Sequence, residues 1–549
     1  MESPDKLLGL CESGLTLAEQ FLATCRHAVA GMVGDAGKPD PALLETHQLA
    51  AHGFAWQSTY VEALRQALYW ARDLQAHGRL TGVEAAILRL GFAEFLAQLG
   101  GGIPISQTEM VRPGDLGVPP ATTLTFLSAP VVVQLAEPAA LDTARKAIVE
   151  GALDGRFGAV GLDETHDAIR EQFLRYAATE IAPHAQQWHQ NDELIPLPVV
   201  QQLGEMGVFG MTVPEDSGGL GLGKVAMCVV SEALSGGYIG VGSLGTRAEI
   251  AAELIGSAGT AEQKQRWLAP IATGQVLATA VFTEPNTGSD LANLRTRAVR
   301  DGDVYRVTGA KTWITHAARS DLMTLLVRTN PDAPGHRGLS MLLAPKPRGT
   351  EDNPFPAPGM TGTEIRVLGY RGMKEYELSF EGFEVPADCL LGGVEGQGFK
   401  QLMETFESAR IQTGARALGV AQNAFELGLA YARDRQQFGK SIVNFPRVAN
   451  KLAWMATETM LARQLTYFAA RQKDTGQRCD IEAGMAKLLA ARVAFSNADC
   501  ALQIHGGNGY AVEFPISRVL CDARILSIFE GAAEIQAQVI ARGLLGRTN

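Results

Sequence analysis

Between about residues 276 and 390 the apolar side chains change period, whereas on both sides of that segment their spacing is helical. The stretch RTRAVRDGDVYRVTG (295–309) alternates on either side of Asp301-Gly302-Asp303, which predicts a hairpin. LMTLLVR (322–328) and LSMLLAP (339–345) are short apolar runs of the kind that form buried strands. After Pro386 the period returns to that of a helix, and ALGVAQNAFELGLAYARDRQQFG puts Val420, Ala424, Leu427 and Tyr431 on one stripe. Strands and helices follow each other in blocks and do not alternate, which argues against a doubly wound sheet. The expected fold class is mainly α with a central β domain.

The first ~155 residues read as helical. In VEALRQALYWARDLQ, Leu64, Ala67, Leu68, Ala71 and Leu74 share a face and leave Arg65, Arg72 and Asp73 opposite. GGGIPISQTEMVRPGDLGVPP (100–120) breaks the pattern as a Pro- and Gly-rich loop that other parts of the chain must order. Helical signals resume at THDAIREQFLRYAATEIAP, interrupted by EDSGGLGLG (215–223). That segment lacks the GxGxxG spacing of a dinucleotide fingerprint and reads as a loop. The expected organisation is a helical extension over 1–158, an α-helical domain over 159–275, a β domain over 276–391 and a helical bundle over 392–549.

Composition excludes some classes. A net charge of −11 leaves too little clustered Lys and Arg for nucleic acid to be the main partner. Seven cysteines without CxxC spacing read as free thiols. The start MESPDKLLGLCESG lacks a basic, then apolar, leader, and no run of eighteen apolar residues exists. A cytoplasmic protein without a membrane partner is expected. His184 and His189 lie five apart with no companion ligands, so no metal is expected.

Six collinear segments carry a more specific signal: VPEDSGGLGLG (213–223), VFTEPNTGSD (281–290), GAKTWITH (309–316), ARDRQQFGK (432–440), QIHGGNGY (503–510) and IFEGAAEIQ (528–536). Together they resemble the acyl-CoA dehydrogenase family over roughly residues 160 to 549. The resemblance implies an acyl-CoA dehydrogenase-like fold of an α domain, a β-barrel-like domain and a four-helix bundle. It also implies FAD held between the β domain and the bundle, an acyl-CoA substrate, and a homo-oligomer.

Taking hydride from an alkyl carbon is chemistry that proteins delegate to a flavin. The protein must then supply a base for the α-proton, and Glu530 matches the family's base position. Its neighbours Ile528, Phe529, Gly531, Ala532 and Ala533 predict an apolar setting that would raise the carboxyl pKa. The family's alternative base site falls on Ala409, which cannot accept a proton, and the adjacent Arg410 matches an arginine that orients base or substrate. By resemblance the backbone N–H of Glu530 and a ribityl hydroxyl of FAD face the thioester oxygen, where fixed donors stabilise developing charge. Gly531 and Ser289 match substrate-side positions. Phe282, Thr283, Gly288 and Ser289 match the loop facing the flavin, and Trp313, Ile314 and Thr315 match the segment packed on the ring. Arg435, Phe438, Gln503, Gly506 and Gly507 match residues that reach the adenine and pyrophosphate of FAD in a neighbouring subunit. Glycines there let backbone N–H groups approach phosphate. Ala532 and Glu534 complete the cofactor set, although Ala532 replaces the family's usual Thr and Pro446 replaces a frequent Gln.

The amino-terminal extension, EYELSFEGFEVP and NFPRVANKLA are similar to one subgroup of the family. That likeness implies FAD-dependent α,β-dehydrogenation of a short branched dicarboxylic thioester, (2S)-methylsuccinyl-CoA to mesaconyl-CoA, a step of the ethylmalonyl-CoA pathway. An electron-transferring flavoprotein is the implied acceptor. A distal carboxylate needs a cation, and Arg247 in GSLGTRAEIAAELI is its candidate partner. The extension could cover the face that pairs dimers in tetrameric relatives, which predicts a dimer. The alternatives are dehydrogenation of another short or branched acyl-CoA, a flavin oxidase, a non-enzymatic CoA-binding scaffold, and a DNA-damage-response flavoprotein. The last would need a basic carboxy terminus, where ARGLLGRTN offers only Arg542 and Arg547.

Overall fold

Prolines and capping carboxylates set where the amino-terminal helices begin. The computed structural model describes residues 3–35 and 37–547. Its contacts divide into two units, one of residues 1–168 with 413–549 and the other of residues 169–412. In the first unit, α1 (Pro4–Val33) starts on a proline, whose missing N–H costs nothing at that position. After α2 (Gln48–Ala76), α3 (Gly82–Gly101) starts where Glu84 accepts the Thr81 N–H at 2.9 Å. α4 (Pro138–Leu153) again opens on proline. In α2 the expected stripe from Leu64 to Leu74 is buried and Arg72 and Asp73 are exposed. The opposite side is buried too, including Gln57, Ser58 and Thr59, because α1, α3 and carboxy-terminal helices all pack on α2. The Pro- and Gly-rich segment after α3 is ordered by this packing. Ile103–Pro104 pairs with Met110–Val111, and Val111 and Leu116 press on α2 at Gly53, where a Cβ would lie 2.7 Å from Leu116 Cδ1.

In the second unit, short helices lead to α5 (Lys224–Gly237), α6 (Ile239–Ala258) and α7 (Ala261–Ala272). Every residue of α6 from Ile239 to Ala252 is buried. A seven-stranded sheet follows: β1 (Ala278–Val281), β2 (Arg297–Asp301), β3 (Val304–Thr315), β4 (Leu322–Arg328), β5 (Leu339–Pro345), β6 (Met360–Ile365) and β7 (Glu375–Pro386). The strand order is β6-β7-β3-β2-β4-β1, with β5 beside β4. The predicted hairpin forms, with Asp301 paired to Val304. β4 and β5 coincide with the two apolar runs and are buried on both faces. β1 runs parallel to β4, and α6 packs against β1.

The chain returns to helices with α8 (Gly398–Asp434), α9 (Pro446–Asp474), α10 (Asp480–His505), α11 (Pro515–Ile525) and α12 (Ala533–Leu545). Within the first unit the extension and these helices share one core. Tyr60 of α2 stacks on Phe95 of α3 at 3.9 Å, and Phe95 meets Trp454 of α9 edge-on at 6.1 Å. The Arg492 guanidinium, ion-paired with buried Glu458, lies 5.9 Å from the Tyr60 ring. Among the described residues no helix is long and apolar enough to cross a membrane, and all seven cysteines are free thiols.

Candidate active site

Glu530 sits in a tight turn between α11 and α12. The N–H groups of Ile528 and Phe529 close back on the Ile525 carbonyl at 2.8 and 3.1 Å, and the Ala533 N–H on that of Ser527 at 3.0 Å. Such a reversal needs left-handed backbone, and Glu530 has φ 52° and Gly531 φ 88°. A left-handed non-glycine residue costs of order 1–3 kcal/mol and persists where its surroundings enforce it.

One oxygen of the Glu530 carboxylate, Oε2, accepts Arg416 Nη2 at 2.6 Å and also the Thr413 hydroxyl. Arg416 Nη2 donates to Thr413 Oγ1 at 2.8 Å as well. Thr413 and Arg416 are three residues apart on α8, hence on one face. The Arg416 side chain is fully buried, that of Glu530 is 13% exposed, and the guanidinium lies 5.0 Å from the Phe529 ring. The setting is therefore ionic, which corrects the apolar environment expected from the flanking residues. The turn explains the difference. It turns Ile528 out to 51% exposure and lays Phe529 on Arg416. Neither Thr413 nor Arg416 was singled out from the sequence. The candidate Arg410, six residues earlier and so well round the helix, holds its guanidinium 5.9 Å from the Phe406 ring.

Ala532 caps α12 without a side-chain bond, and Glu534 is exposed in its first turn. Glu534 faces the extension at His52, whose pKa is lowered by burial and partly restored by the Glu534 charge.

In the second unit, Trp313 lies in a β-bulge. The register of β3 and β7 shifts between Tyr376–Ile314 and Leu378–Lys311, leaving Thr312 and Trp313 opposite a single residue. Trp313 has φ 59° and is 57% exposed, while Ile314 is buried. Thr315 is buried and donates its hydroxyl to the carboxylate of Glu375 at 2.8 Å. Phe282 is buried with its ring 6.4 Å from that of Phe406. Its carbonyl accepts Lys311 Nζ at 2.8 Å, and the Thr283 carbonyl accepts the Thr312 N–H at 3.0 Å. Lys311 also pairs with Glu284 at 3.1 Å, and burial pulls its pKa down to about 8. Lys311 and Glu284, which sequence reasoning did not pick out, hold the loop on which Gly288 and Ser289 are exposed.

Arg247 lies in the middle of α6 and is buried, with Nη2 3.4 Å from the Tyr370 hydroxyl. Tyr370 is also left-handed, at φ 59°. Nearby His316 is fully buried, and burial with the charges of Arg319, Arg348, Lys346 and Arg247 lowers its pKa to about 3.

Arg435, Phe438, Gln503, Gly506 and Gly507 are all exposed in the first unit. Phe438 and Gly439 form the two-residue tip of a small hairpin, with φ 50° and 78°, and Phe438 is 93% exposed. A Cβ built on Gly506 or Gly507 would meet no atom within 4 Å, so this backbone stands open to a ligand.

Three family profiles match the chain: Acyl-CoA dehydrogenase, N-terminal domain, over residues 163–275; the middle domain over 279–383; and the C-terminal domain over 396–545. A (2S)-methylsuccinyl-CoA dehydrogenase from Cereibacter sphaeroides is 60% identical over 545 residues, 98% of each chain. A short-chain specific acyl-CoA dehydrogenase of Bos taurus mitochondria is 36% identical over 391 residues, 71% of this chain and 92% of that protein. The structure of butyryl-CoA dehydrogenase from Megasphaera elsdenii superimposes with a TM-score of 0.66 at 30% identity, covering 70% of this chain and 99% of that one.

Proposed function

The chain belongs to the acyl-CoA dehydrogenase family, and on that footing we propose that it oxidises (2S)-methylsuccinyl-CoA to mesaconyl-CoA, with Glu530 removing the α-proton. The observation that carries this reading is the 60% identity to the Cereibacter enzyme over 98% of both chains, because it runs through the extension that the shorter relatives leave uncovered.

The residues present fit a flavin dinucleotide. An exposed tryptophan in a bulge offers a flat apolar face, and exposed Phe438 with the open backbone of Gly506 and Gly507 offers places for an adenine and a pyrophosphate. Trp313 and Thr315 would hold the ring, and Arg435, Phe438, Gln503, Gly506 and Gly507 the nucleotide end, the latter group serving a second copy of the chain in a homodimer. FAD bound there supplies the acceptor for the β-hydride, and an electron-transferring flavoprotein is the proposed onward acceptor.

The chain's own residues do the rest. Glu530 takes the proton from the carbon next to the thioester carbonyl. Arg416 and Thr413 fix the carboxylate through Oε2 and so set the direction in which it faces the α-carbon. The backbone N–H of Glu530 is assigned to the thioester oxygen as negative charge gathers there. Arg247, a buried cation, pairs with the distal carboxylate and so selects a dicarboxylic acyl group.

Anaerobic titration of the flavin-loaded protein with methylsuccinyl-CoA, glutaryl-CoA, isobutyryl-CoA and butyryl-CoA tests the proposal. Rapid bleaching with methylsuccinyl-CoA and slow bleaching with the monocarboxylic thioesters is expected. Preferential bleaching by butyryl-CoA would overturn the substrate assignment.

A further inference from the structure

Lys487 lies in the middle of α10 and is fully buried. Its ammonium donates to the carbonyl oxygen of Gly531 at 2.6 Å. An ammonium withdrawn from water is costly unless fixed acceptors meet it, so its presence beside this turn calls for a physical reason. The acceptor belongs to the residue that follows Glu530. A second buried donor, Gln536 Nε2, reaches the carbonyl oxygens of both Glu530 (3.3 Å) and Gly531 (3.0 Å).

Each carbonyl lies in the plane of the peptide that follows it. Pinning the Glu530 and Gly531 carbonyls therefore fixes two successive peptide planes and with them the left-handed conformation of Gly531, the residue that joins them, while anchoring the carbonyl side of Glu530, itself left-handed. Left to itself, Glu530 would relieve its strain by returning to an ordinary backbone region, which would swing its side chain off the Arg416–Thr413 pair. Position 531 must also stay free of a side chain, since a Cβ there would lie 2.2 Å from Gln536 Nε2. The carboxylate is gripped from α8, and the backbone that carries it is gripped from α10 and α12.

We propose that Lys487 is a positioning residue for the dehydrogenation: its ammonium, with Gln536, holds the Glu530–Gly531 turn so that both the carboxylate and the Glu530 N–H point where the thioester needs them. The proposal rests on the reading of Glu530 as the base. It separates from a merely structural role because it concerns the rate of proton removal and not the binding of the thioester.

The test uses the flavin-loaded enzyme and its K487M, K487R, K487Q and E530Q variants with methylsuccinyl-CoA under anaerobic conditions. K487M keeps the length of the side chain and loses the charged donor. It is expected to slow flavin reduction about 100-fold, the scale on which ~1 Å of misplacement acts, while the thioester dissociation constant changes less than about threefold. K487R is expected to recover much of the rate, and backbone amide exchange over residues 527–533 should quicken in K487M without substrate. If K487M does not fold, K487Q is held to the same criteria. Reduction by K487M within about twofold of wild type, a loss expressed only in thioester binding, or failure of both neutral variants to fold would each overturn the proposal. If E530Q is inactive while K487M is unaffected, the Lys487 role alone falls; if E530Q reduces normally, the base assignment falls first.

Discussion

Arg416 Nη2 lies 2.6 Å from Glu530 Oε2, a meeting of residues 114 positions apart that fixes the carboxylate assigned to α-proton removal in the proposed chemistry. The guanidinium has no exposure to water, so this is a buried pair. Removing one partner of such a pair leaves a charge stranded and typically costs ~3–5 kcal/mol. R416M should therefore lower stability by about 3 kcal/mol in denaturant unfolding and slow anaerobic flavin reduction more than tenfold. T413V, which removes a single hydroxyl, should cost nearer ~1 kcal/mol. Equal effects of the two substitutions would contradict the ion pair as the dominant contact.

Trp313 should behave in the opposite sense. It is 57% exposed at φ 59°, so it contributes little to the core and bears backbone strain. W313G is expected to leave stability unchanged or raise it by up to about 1 kcal/mol. The flavin-to-protein ratio after gel filtration should fall, because the flat face is gone. A large loss of stability would show that Trp313 serves the sheet.

Two glycines make a matched pair. Gly507 has an ordinary φ and open space around its absent side chain, so G507A should fold with stability within about 0.5 kcal/mol of wild type yet retain less flavin. Gly531 has φ 88° and Gln536 Nε2 2.2 Å from a Cβ, so G531A must disturb the turn itself. It should keep its flavin while losing most of its activity. Retained flavin in G507A would argue that this backbone does not meet the cofactor.

His316 provides a pH signature. Its folded pKa is lowered to about 3 from an ordinary 6.5, by burial first and by surrounding cations second. Below pH 6.5 the unfolded chain takes up a proton that the native one refuses. Stability therefore falls as pH drops from about 6.5 toward 3, by up to ~1.4 kcal/mol per pH unit. Above pH 6.5 this histidine contributes no pH dependence. H316N removes the effect, so the stability difference between wild type and H316N should shift by about 2 kcal/mol in favour of the variant between pH 7.5 and pH 5. A difference independent of pH would contradict it.

Much of this architecture was legible in the sequence where the signal is local. β4 and β5 coincide with their apolar runs, and the hairpin turns where Gly302 permits it. Several residues matched by resemblance stand out in the structure by themselves, since Trp313, Phe438 and Glu530 are three of the few left-handed non-glycine residues among those described. Local reading failed where the environment is assembled from distant segments. The neighbours of Glu530 in sequence are apolar, but its neighbours in space come from α8, more than a hundred residues earlier. Lys487 looks like an ordinary helix lysine, and only the packing of α10 against α12 shows that it is buried. The second buried face of α2 was equally hidden, because helical periodicity marks one packing surface and α2 has partners on several sides.

Stopped-flow reduction of flavin-loaded E530Q by (2S)-methylsuccinyl-CoA, followed alongside thioester binding, tests whether Glu530 takes the α-proton. Gln keeps the size of the side chain and can still accept from Arg416 and Thr413, so binding should survive. The expected result is thioester binding close to wild type with flavin reduction slowed by several orders of magnitude. Reduction at the wild-type rate would show that another group takes the proton.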